Sequence, residues 1–244
     1  MNKWFNSETR ELAIPEFFNE ELKNIPIGTK KILFLKRWNI SKFNKPIDGL
    51  PDTITWIDLS EDFDQSVENL PKNLEYLKFG SCFSQPVDNL PTNLQVLEFG
   101  LEFNQPVDKL PHNLKKLIFG MYFNEPVNSL PESLEYIKFG HKFDQPVDLL
   151  PKNLKYLSFG SEFSHSIDNL PDSIEYLFLG DVWIYNCEVG HKLPNNLKCL
   201  ELPDSNRYVD NLPIGLQELI IHNSKSDTND TQIKLPFGCK LIKR

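Results

Sequence analysis

The sequence is poor in the features that mark metalloproteins, secreted proteins and membrane proteins. Its four cysteines include no Cys-x-x-Cys pair and none partnered by a histidine, so neither a zinc site nor a disulfide framework is indicated. No run of about eighteen apolar residues occurs, and the first residues lack the basic and apolar regions of a signal peptide. These absences predict a soluble cytoplasmic protein with free thiols and no membrane partner.

Acidic residues outnumber basic ones, with 34 Asp and Glu against 26 Lys and Arg. The net charge is −8 and the isoelectric point is near 5.2, which argues against attraction to phosphate backbones or anionic lipid. The sequence therefore predicts no nucleic-acid partner. Its hydrophobic content of 40%, with 18 phenylalanines, is that of a chain that folds around a core.

A repeat with a period of twenty residues fills most of the chain. "FNQPVDKLPHNLKKLIFG" begins at Phe103, and "FNEPVNSLPESLEYIKFG" begins at Phe123. A fixed period of this length is typical of small units that stack in a row. Weaker copies extend the pattern from a strand at Leu12/Ile14 to a doubtful last strand at Ile242, which gives about twelve candidate strands. The repeated phenylalanine occurs at Phe43, Phe63, Phe83, Phe103, Phe123, Phe143 and Phe163.

Three segments interrupt the period, at 35–42, 181–192 and 222–234. The apolar spacing resumes after each of them, so we interpret them as loop insertions in one solenoid. In the second segment Trp183 stands where the repeated phenylalanine belongs. Whether these insertions bind anything is left open by the sequence.

Each unit is predicted to form a short strand, a turn, an extended return and a second turn. The stretch Leu77-Lys78-Phe79 alternates apolar and polar residues, as a half-buried strand does. Gly80 and its equivalents fit a turn whose backbone angles a Cβ would penalise. The prolines in each unit exclude a long helix.

Catalytic signals are missing. The histidines, His112, His141, His165, His191 and His222, occupy different positions of the repeat, and no catalytic or phosphate-binding motif is present. We therefore expect a protein that is not an enzyme and uses no cofactor.

Acidic residues recur at one position, where stacking would align them in a column. A calcium ladder is conceivable there, but the other positions supply no second acidic column, so turn residues that bond their own backbone are favoured. The residues are Asp48, Glu68, Asp88, Asp108, Asp148 and Asp168.

The repeat resembles two related families. Leu74-x-x-Leu77-x-Phe79 is similar to the leucine-rich-repeat consensus, and "FNKP" at Phe43, "FNQP" at Phe103 and "FNEP" at Phe123, each followed by "LP…L..L.FG", resemble FNIP repeats of social amoebae and giant DNA viruses. The resemblance covers roughly residues 9–242. It implies a β-rich solenoid, a right-handed coil of about twelve 20-residue units with one parallel β-sheet on the concave face and little or no helix. Residues 1–8 would form an N-terminal cap segment, and residues 9–244 one solenoid domain.

The chain departs from these families in two ways. The asparagine ladder of common leucine-rich repeats is absent, and we expect its role to pass to the residue after the repeated phenylalanine, such as Asn44, Asp64 or Asn124. Many FNIP-repeat proteins carry an F-box, for which this sequence has no room before its first repeat. A direct ubiquitin-ligase link is therefore not expected.

The outward-facing residues of the strands are the candidate binding site. Strand alternation points them toward the concave face, where aromatic side chains are common anchors of protein interfaces. Aromatic residues side by side on neighbouring strands can equally form a ladder that only stabilises the sheet. The predicted partner-binding residues are Trp56, Tyr76, Glu98, Lys116, Ile118, Tyr136, Lys138, Tyr156, Tyr176 and Phe178.

The sequence as a whole predicts a non-enzymatic scaffold that binds a partner protein on the concave sheet face. The alternative is a structural, self-associating solenoid whose tyrosines form only a stabilising ladder. We expect a monomer or a weak end-to-end dimer, located in the cytoplasm, which is the host cytoplasm if the protein is viral.

Overall fold

The computed structural model describes residues 1–36, 41–180, 192–203, 211–222 and 233–244. The chain divides into two compact units, Met1–Phe123 and Asn124–Arg244. In both units short strands follow one another in chain order and pair in parallel, with one exception at the N-terminus. The fold is therefore a parallel-strand β-solenoid, as the sequence predicted.

The first unit contains strands β1 to β7. Their bounds are Phe5–Asn6 (β1), Glu11–Ile14 (β2), Lys31–Phe34 (β3), Trp56–Asp58 (β4), Tyr76–Lys78 (β5), Val96–Glu98 (β6) and Lys116–Ile118 (β7). β2 to β7 pair in parallel, with Ile57 opposite Leu77 and Leu77 opposite Leu97. β1 is antiparallel to β2, so it covers the edge of the sheet that β2 would otherwise expose.

The second unit contains strands β8 to β13. Their bounds are Tyr136–Lys138 (β8), Tyr156–Phe159 (β9), Tyr176–Leu179 (β10), Cys199–Leu202 (β11), Glu218–Ile221 (β12) and Lys240–Lys243 (β13). All of these strands pair in parallel. Among the residues that the structure describes, the only helical element of the chain is the short 3-10 turn Asn2–Trp4.

The number of turns is slightly lower than predicted. The described chain makes about ten turns, against the expected twelve units, although the twelve predicted strand positions have counterparts in β2 to β13. The predicted last strand is also shifted by one residue. Leu241, and not Ile242, lies opposite the buried Leu219. The insertion before β13 breaks the period, so counting along the sequence could not fix this register.

Stacked phenylalanines form the core of the central coils. The ring centroids of Phe43, Phe63 and Phe83 are 6.2 Å apart in succession, with the rings nearly parallel. A second column runs beside the first, since Phe79 and Phe99 lie 5.6 Å apart and Phe79 is 3.7 Å from Phe83. These side chains are almost fully buried. One coil alone exposes both sides of its apolar layer, so each coil depends on its neighbours.

A ladder of side-chain hydrogen bonds links the coils next to the phenylalanine column. Asn44 Oδ1 accepts a hydrogen bond from the backbone N–H of Asp64 at 3.0 Å, and Asp64 Oδ1 accepts one from Ser84 at 2.9 Å. In the second unit Asn124 Oδ1 accepts from the backbone N–H of Asp144 at 2.9 Å. The residue after the phenylalanine therefore has the capping role predicted for it, and its partner is the backbone of the next coil.

The recurring acidic residues also bond between coils. Asp48 Oδ1 accepts a hydrogen bond from Asn69 Nδ2 at 3.1 Å, and Asp148 Oδ1 accepts from Asn169 Nδ2 at 2.8 Å. The expectation that such residues bond their own turn was wrong at these two positions, because parallel stacking brings the amide of the next coil within reach. Among the described residues, no group of three or more His, Cys, Asp or Glu side chains is placed to hold a metal ion.

Glycine is required after the strand for a different reason from the predicted one. Gly100 does not have a positive φ. A Cβ on Gly100 would lie 1.9 Å from the carbonyl oxygen of Gly80 in the preceding coil, so the two backbones can approach only if no side chain is present. At Gly100 the constraint is thus contact between coils and not the conformation of one turn. At Gly180, whose φ is 36°, the predicted turn conformation favours glycine as well.

The three predicted insertions cannot be compared in full with the structure. Residues 37–40, 181–191 and 223–232, with Trp183 among them, lie outside the described residues. The segment 204–210 also lies outside them.

Replacement of Gly100 by alanine should lower the free energy of unfolding by at least about 1–3 kcal/mol, since the added Cβ forces two coils apart. Gly215→Ala is the matched control, because a Cβ there meets no heavy atom within 4 Å. The control should leave stability unchanged or raise it by up to about 1 kcal/mol. Urea unfolding followed by circular dichroism measures both, and equal effects of the two substitutions would contradict the steric explanation.

Replacement of Asp64 by alanine should cost about 1–3 kcal/mol of unfolding free energy, because two donors of the next coil lose their acceptor. These donors are the Ser84 N–H at 2.9 Å and Gln85 Nε2 at 3.0 Å. Asp64→Asn keeps an acceptor oxygen and should cost much less. The same urea titration tests this, and a loss as large for asparagine as for alanine would show that the carboxylate charge matters more than the ladder.

Candidate functional site

The outer face of the sheet carries the first and third residues of the strands, opposite the phenylalanine core. Alternation along each strand separates the two faces, so Ile57 and Leu77 are fully buried while Trp56 and Tyr76 are half-buried on the outer face. All ten predicted site residues belong to this outer face. Five lie in the first unit and five in the second, and each group is described separately.

In the first unit two aromatic rings stack on the outer face. The rings of Trp56 and Tyr76 are nearly parallel, with centroids 3.4 Å apart. Lys31 Nζ lies 5.2 Å from the centroid of Trp56, on the preceding strand, so a cation–π contact extends the stack. The pair arises because the parallel register places Trp56 directly opposite Tyr76.

Charged residues surround this stack. Glu98 lies between two lysines, with Lys78 Nζ at 3.7 Å and Lys116 Nζ also at 3.7 Å. Lys36 pairs with Asp58 at 3.4 Å. Partly exposed ion pairs of this kind contribute little to stability, about 0–1 kcal/mol, so their main effect is to fix the pattern of charge on the face.

The second unit carries a ladder of three tyrosines. The centroids of Tyr136 and Tyr156 are 4.0 Å apart, those of Tyr156 and Tyr176 are 4.5 Å apart, and the planes differ by only 5–6°. Phe178 is half-buried two residues after Tyr176, and Lys138 is exposed at the other end of the ladder. The ladder therefore presents ring edges and hydroxyl groups, because the ring faces contact each other.

A polar cluster closes the far end of this ladder. The Tyr176 hydroxyl donates a hydrogen bond to Glu201 Oε2, and His222 Nε2 lies 2.6 Å from Glu201 Oε1. Glu201 and His222 are not among the predicted partner-binding residues, and the sequence predicted no role for His222. Alternation could have found it, because His222 continues the outward series of Glu218 and Ile220 in β12.

Burial and negative neighbours raise the pKa of two tyrosines. For Tyr76 the main cause is burial, and the carboxylates of Glu98 and Asp58 add to it. For Tyr156 burial again comes first, followed by the hydrogen bond with Tyr136. Both hydroxyls therefore stay protonated near neutral pH and can donate hydrogen bonds.

Two outward positions differ from the simple alternation. Ser158 and Ile220 are almost fully buried, although they occupy the outer face. Ser158 lies opposite Lys138 and Phe178 in the neighbouring strands, and a small side chain between longer ones is easily covered. Exposure on this face thus depends on the size of the neighbours as well as on strand alternation.

The search for similar proteins gives a family and a fold. A model of the FNIP repeat family matches six overlapping segments, at residues 43–82, 63–102, 83–120, 103–142, 123–160 and 143–181. No curated protein matches the sequence. Within the described residues, no helix is long and apolar enough to cross a membrane.

Two solved structures are similar to this chain. The giant-virus protein CroV588, described as a novel circular leucine-rich-repeat protein, has 26% sequence identity and a TM-score of 0.75 over 96% of this chain. YopM from Yersinia enterocolitica has 17% identity over 91% of this chain, but the TM-score is only 0.32. The chain spans 43% of the length of the first protein and 61% of the second. With the family match extending over residues 43–181, the chain belongs to the FNIP repeat family, and its fold is of the leucine-rich-repeat type.

Proposed function

We propose that this chain is a non-enzymatic scaffold that binds a partner protein through the outer face of its sheet. Repeat solenoids of this type are typical protein-interaction scaffolds. The observation that carries the proposal is the half-exposed ladder of Tyr136, Tyr156 and Tyr176 with Phe178 at its side. Tyrosine and other aromatic anchors contribute much of the binding energy in protein interfaces.

Stacking prepares these side chains for binding. The Tyr156 ring, which stacks at 4.0 Å on Tyr136 and at 4.5 Å on Tyr176, is already restricted in its orientation. Binding therefore costs less side-chain entropy than it would with free rings, for which immobilisation costs about 0.5–1.5 kcal/mol each. The protonated hydroxyl of Tyr156 adds a hydrogen-bond donor, so the surface offers apolar ring edges together with directional polar groups.

Charged residues would set the orientation of the partner. Lys138 is exposed beside the tyrosine ladder, and Lys78, Glu98 and Lys116 alternate in sign on the outer face of the first unit. Charges of this kind steer encounter and select among partners more than they add affinity. The scaffold would act in the cytoplasm as a monomer, where free thiols such as Cys82 and Cys199 persist.

A purely structural role is the second candidate, and the ring stacking itself favours it. Near-parallel rings on adjacent strands stabilise a sheet by about 0.2–1 kcal/mol per pair without any partner. On this alternative the solenoid associates with copies of itself, and the tyrosines matter only for stability. If the ladder binds a partner, its removal abolishes binding. If the ladder is only structural, its removal lowers stability alone.

Replacement of Tyr136, Tyr156 and Tyr176 together by serine should abolish capture of the partner by the immobilised protein, because the anchors are lost. Proteins retained from an extract of the native source are identified by mass spectrometry. The loss of two stacked pairs should cost only about 0.4–2 kcal/mol, so circular dichroism should still show a folded chain.

The matched control is the triple replacement by phenylalanine. It keeps the stacked rings but removes the hydroxyls, and should retain most of the binding. If the serine variant captures the same partner as the unmodified chain and is merely less stable, the ladder is structural. Light scattering of the unmodified chain then shows whether it associates with itself.

The raised pKa values of Tyr76 and Tyr156 should make stability depend on pH in the alkaline range. The folded state holds these protons more tightly than the unfolded chain, whose tyrosines ionise near pH 10. Their contribution is complete below about pH 10 and is lost as the pH rises toward the folded-state pKa. Urea unfolding between pH 8 and pH 11 should show this decline, and the double variant Tyr76→Phe, Tyr156→Phe should show a smaller one. An equal decline in both proteins would contradict the assignment.

A further inference from the structure

A second exposed surface lies on the turn that follows the strand, away from the outer face of the sheet. In the first unit Leu101, Met121 and Tyr122 are exposed by 46%, 37% and 42%. We call these three residues the turn patch. Such large apolar side chains are unusual in a solvent-exposed turn, and together they form one of the few apolar groups on the surface of this unit.

Stacking of the coils brings the three side chains together. Leu101 and Met121 occupy the same position in successive coils, and Tyr122 follows Met121 directly. The backbone N–H of Tyr122 donates to the carbonyl oxygen of Leu101 at 3.0 Å, so the two turns are in contact. The equivalent residues of two earlier coils are Glu61 with Asp62 and Ser81 with Cys82. The apolar character therefore belongs to these coils and is not a requirement of the repeat.

Acidic residues border the turn patch on one side. Glu102 lies in the column of Tyr122, and Asp62 lies further along the same column. Between them is Cys82, whose thiol pKa is raised by burial and by the negative charges of Asp62 and Glu102. The surface thus changes from negative to apolar within a few coils of about 4.8 Å spacing.

We propose that the turn patch binds a short segment of a partner protein that combines apolar side chains with lysine or arginine. The apolar side chains would cover Leu101, Met121 and Tyr122, and the basic ones would face Asp62 and Glu102. This surface is separate from the outer face of the sheet, so the inference goes beyond the proposed function and does not depend on it.

The negative charge of the chain favours a basic and apolar segment over a second copy of the chain and over an anionic membrane. A second copy of this chain carries a net charge of −8, so its approach to an acidic border is disfavoured. An anionic membrane surface is repelled for the same reason. A basic and apolar segment is attracted by the border and gains from burying the patch.

The probe for the test is a short peptide in which leucines alternate with lysines, titrated calorimetrically into the full chain. The unmodified chain should bind the peptide. A turn-patch variant that combines Leu101→Ser, Met121→Ser and Tyr122→Ser should bind it at least about tenfold more weakly. Asp62→Asn with Glu102→Gln should weaken it several-fold and reduce its dependence on salt. A peptide with glutamate in place of lysine should not bind.

Two controls separate the turn patch from other surfaces. Leu149→Ser removes a lone leucine that is 65% exposed in the second unit, and should leave peptide binding unchanged. The triple serine variant of the tyrosine ladder should also bind the peptide normally, so failure of this inference and failure of the proposed function are distinguishable. The proposal is overturned if the unmodified chain does not bind the peptide, if the turn-patch variant binds it normally while still folded by circular dichroism, or if the glutamate peptide binds equally well.

Discussion

The structure depends on the close approach of successive coils, which is tightest at the glycine that follows six of the strands, β5 to β10. The carbonyl oxygen of Gly80 occupies the space that a Cβ on Gly100 would need, and Gly100 stands in the same relation to Gly120. Because this contact allows no side chain, it lets the neighbouring coils of this part of the chain pack closely in one register. All other columns of side chains follow from that register.

A fixed register turns each position of the repeat into a column with its own environment. The phenylalanine column is closed to water and accepts little variation, and the Asn/Asp column must offer an acceptor to the next backbone N–H. The outer face and the post-strand turn make no such demand. The residues there differ from coil to coil, as Trp56, Tyr76 and Lys116 do on the outer face, while the frame is unchanged.

The difference between the repeated frame and the variable surfaces explains which features could be predicted from the sequence. Strand positions and the outward columns were predictable, because alternation and the period are local and repeat many times. The register of β13 was not, since the preceding insertion removes the period, and Leu241 lies where Ile242 was expected. The burial of Ser158 and the bond of His222 to Glu201 depend on the sizes and reach of neighbouring side chains, which no single repeat encodes. The steric requirement for glycine at position 100 could not be predicted either, because it arises from a contact between two coils.

Stabilisation of the sheet and the proposed partner binding would not be competing uses of the tyrosine ladder. Each ring of Tyr136, Tyr156 and Tyr176 contacts its neighbour by its face, which stabilises the sheet, while all three side chains stay partly exposed. The stack therefore immobilises the groups that a partner would contact, before the partner arrives. A ladder with only a structural role would stabilise the sheet equally well with phenylalanine in place of tyrosine. The hydroxyl of Tyr176, bonded to Glu201, and the protonated hydroxyl of Tyr156 instead give this face a polar pattern that a stacking role does not require.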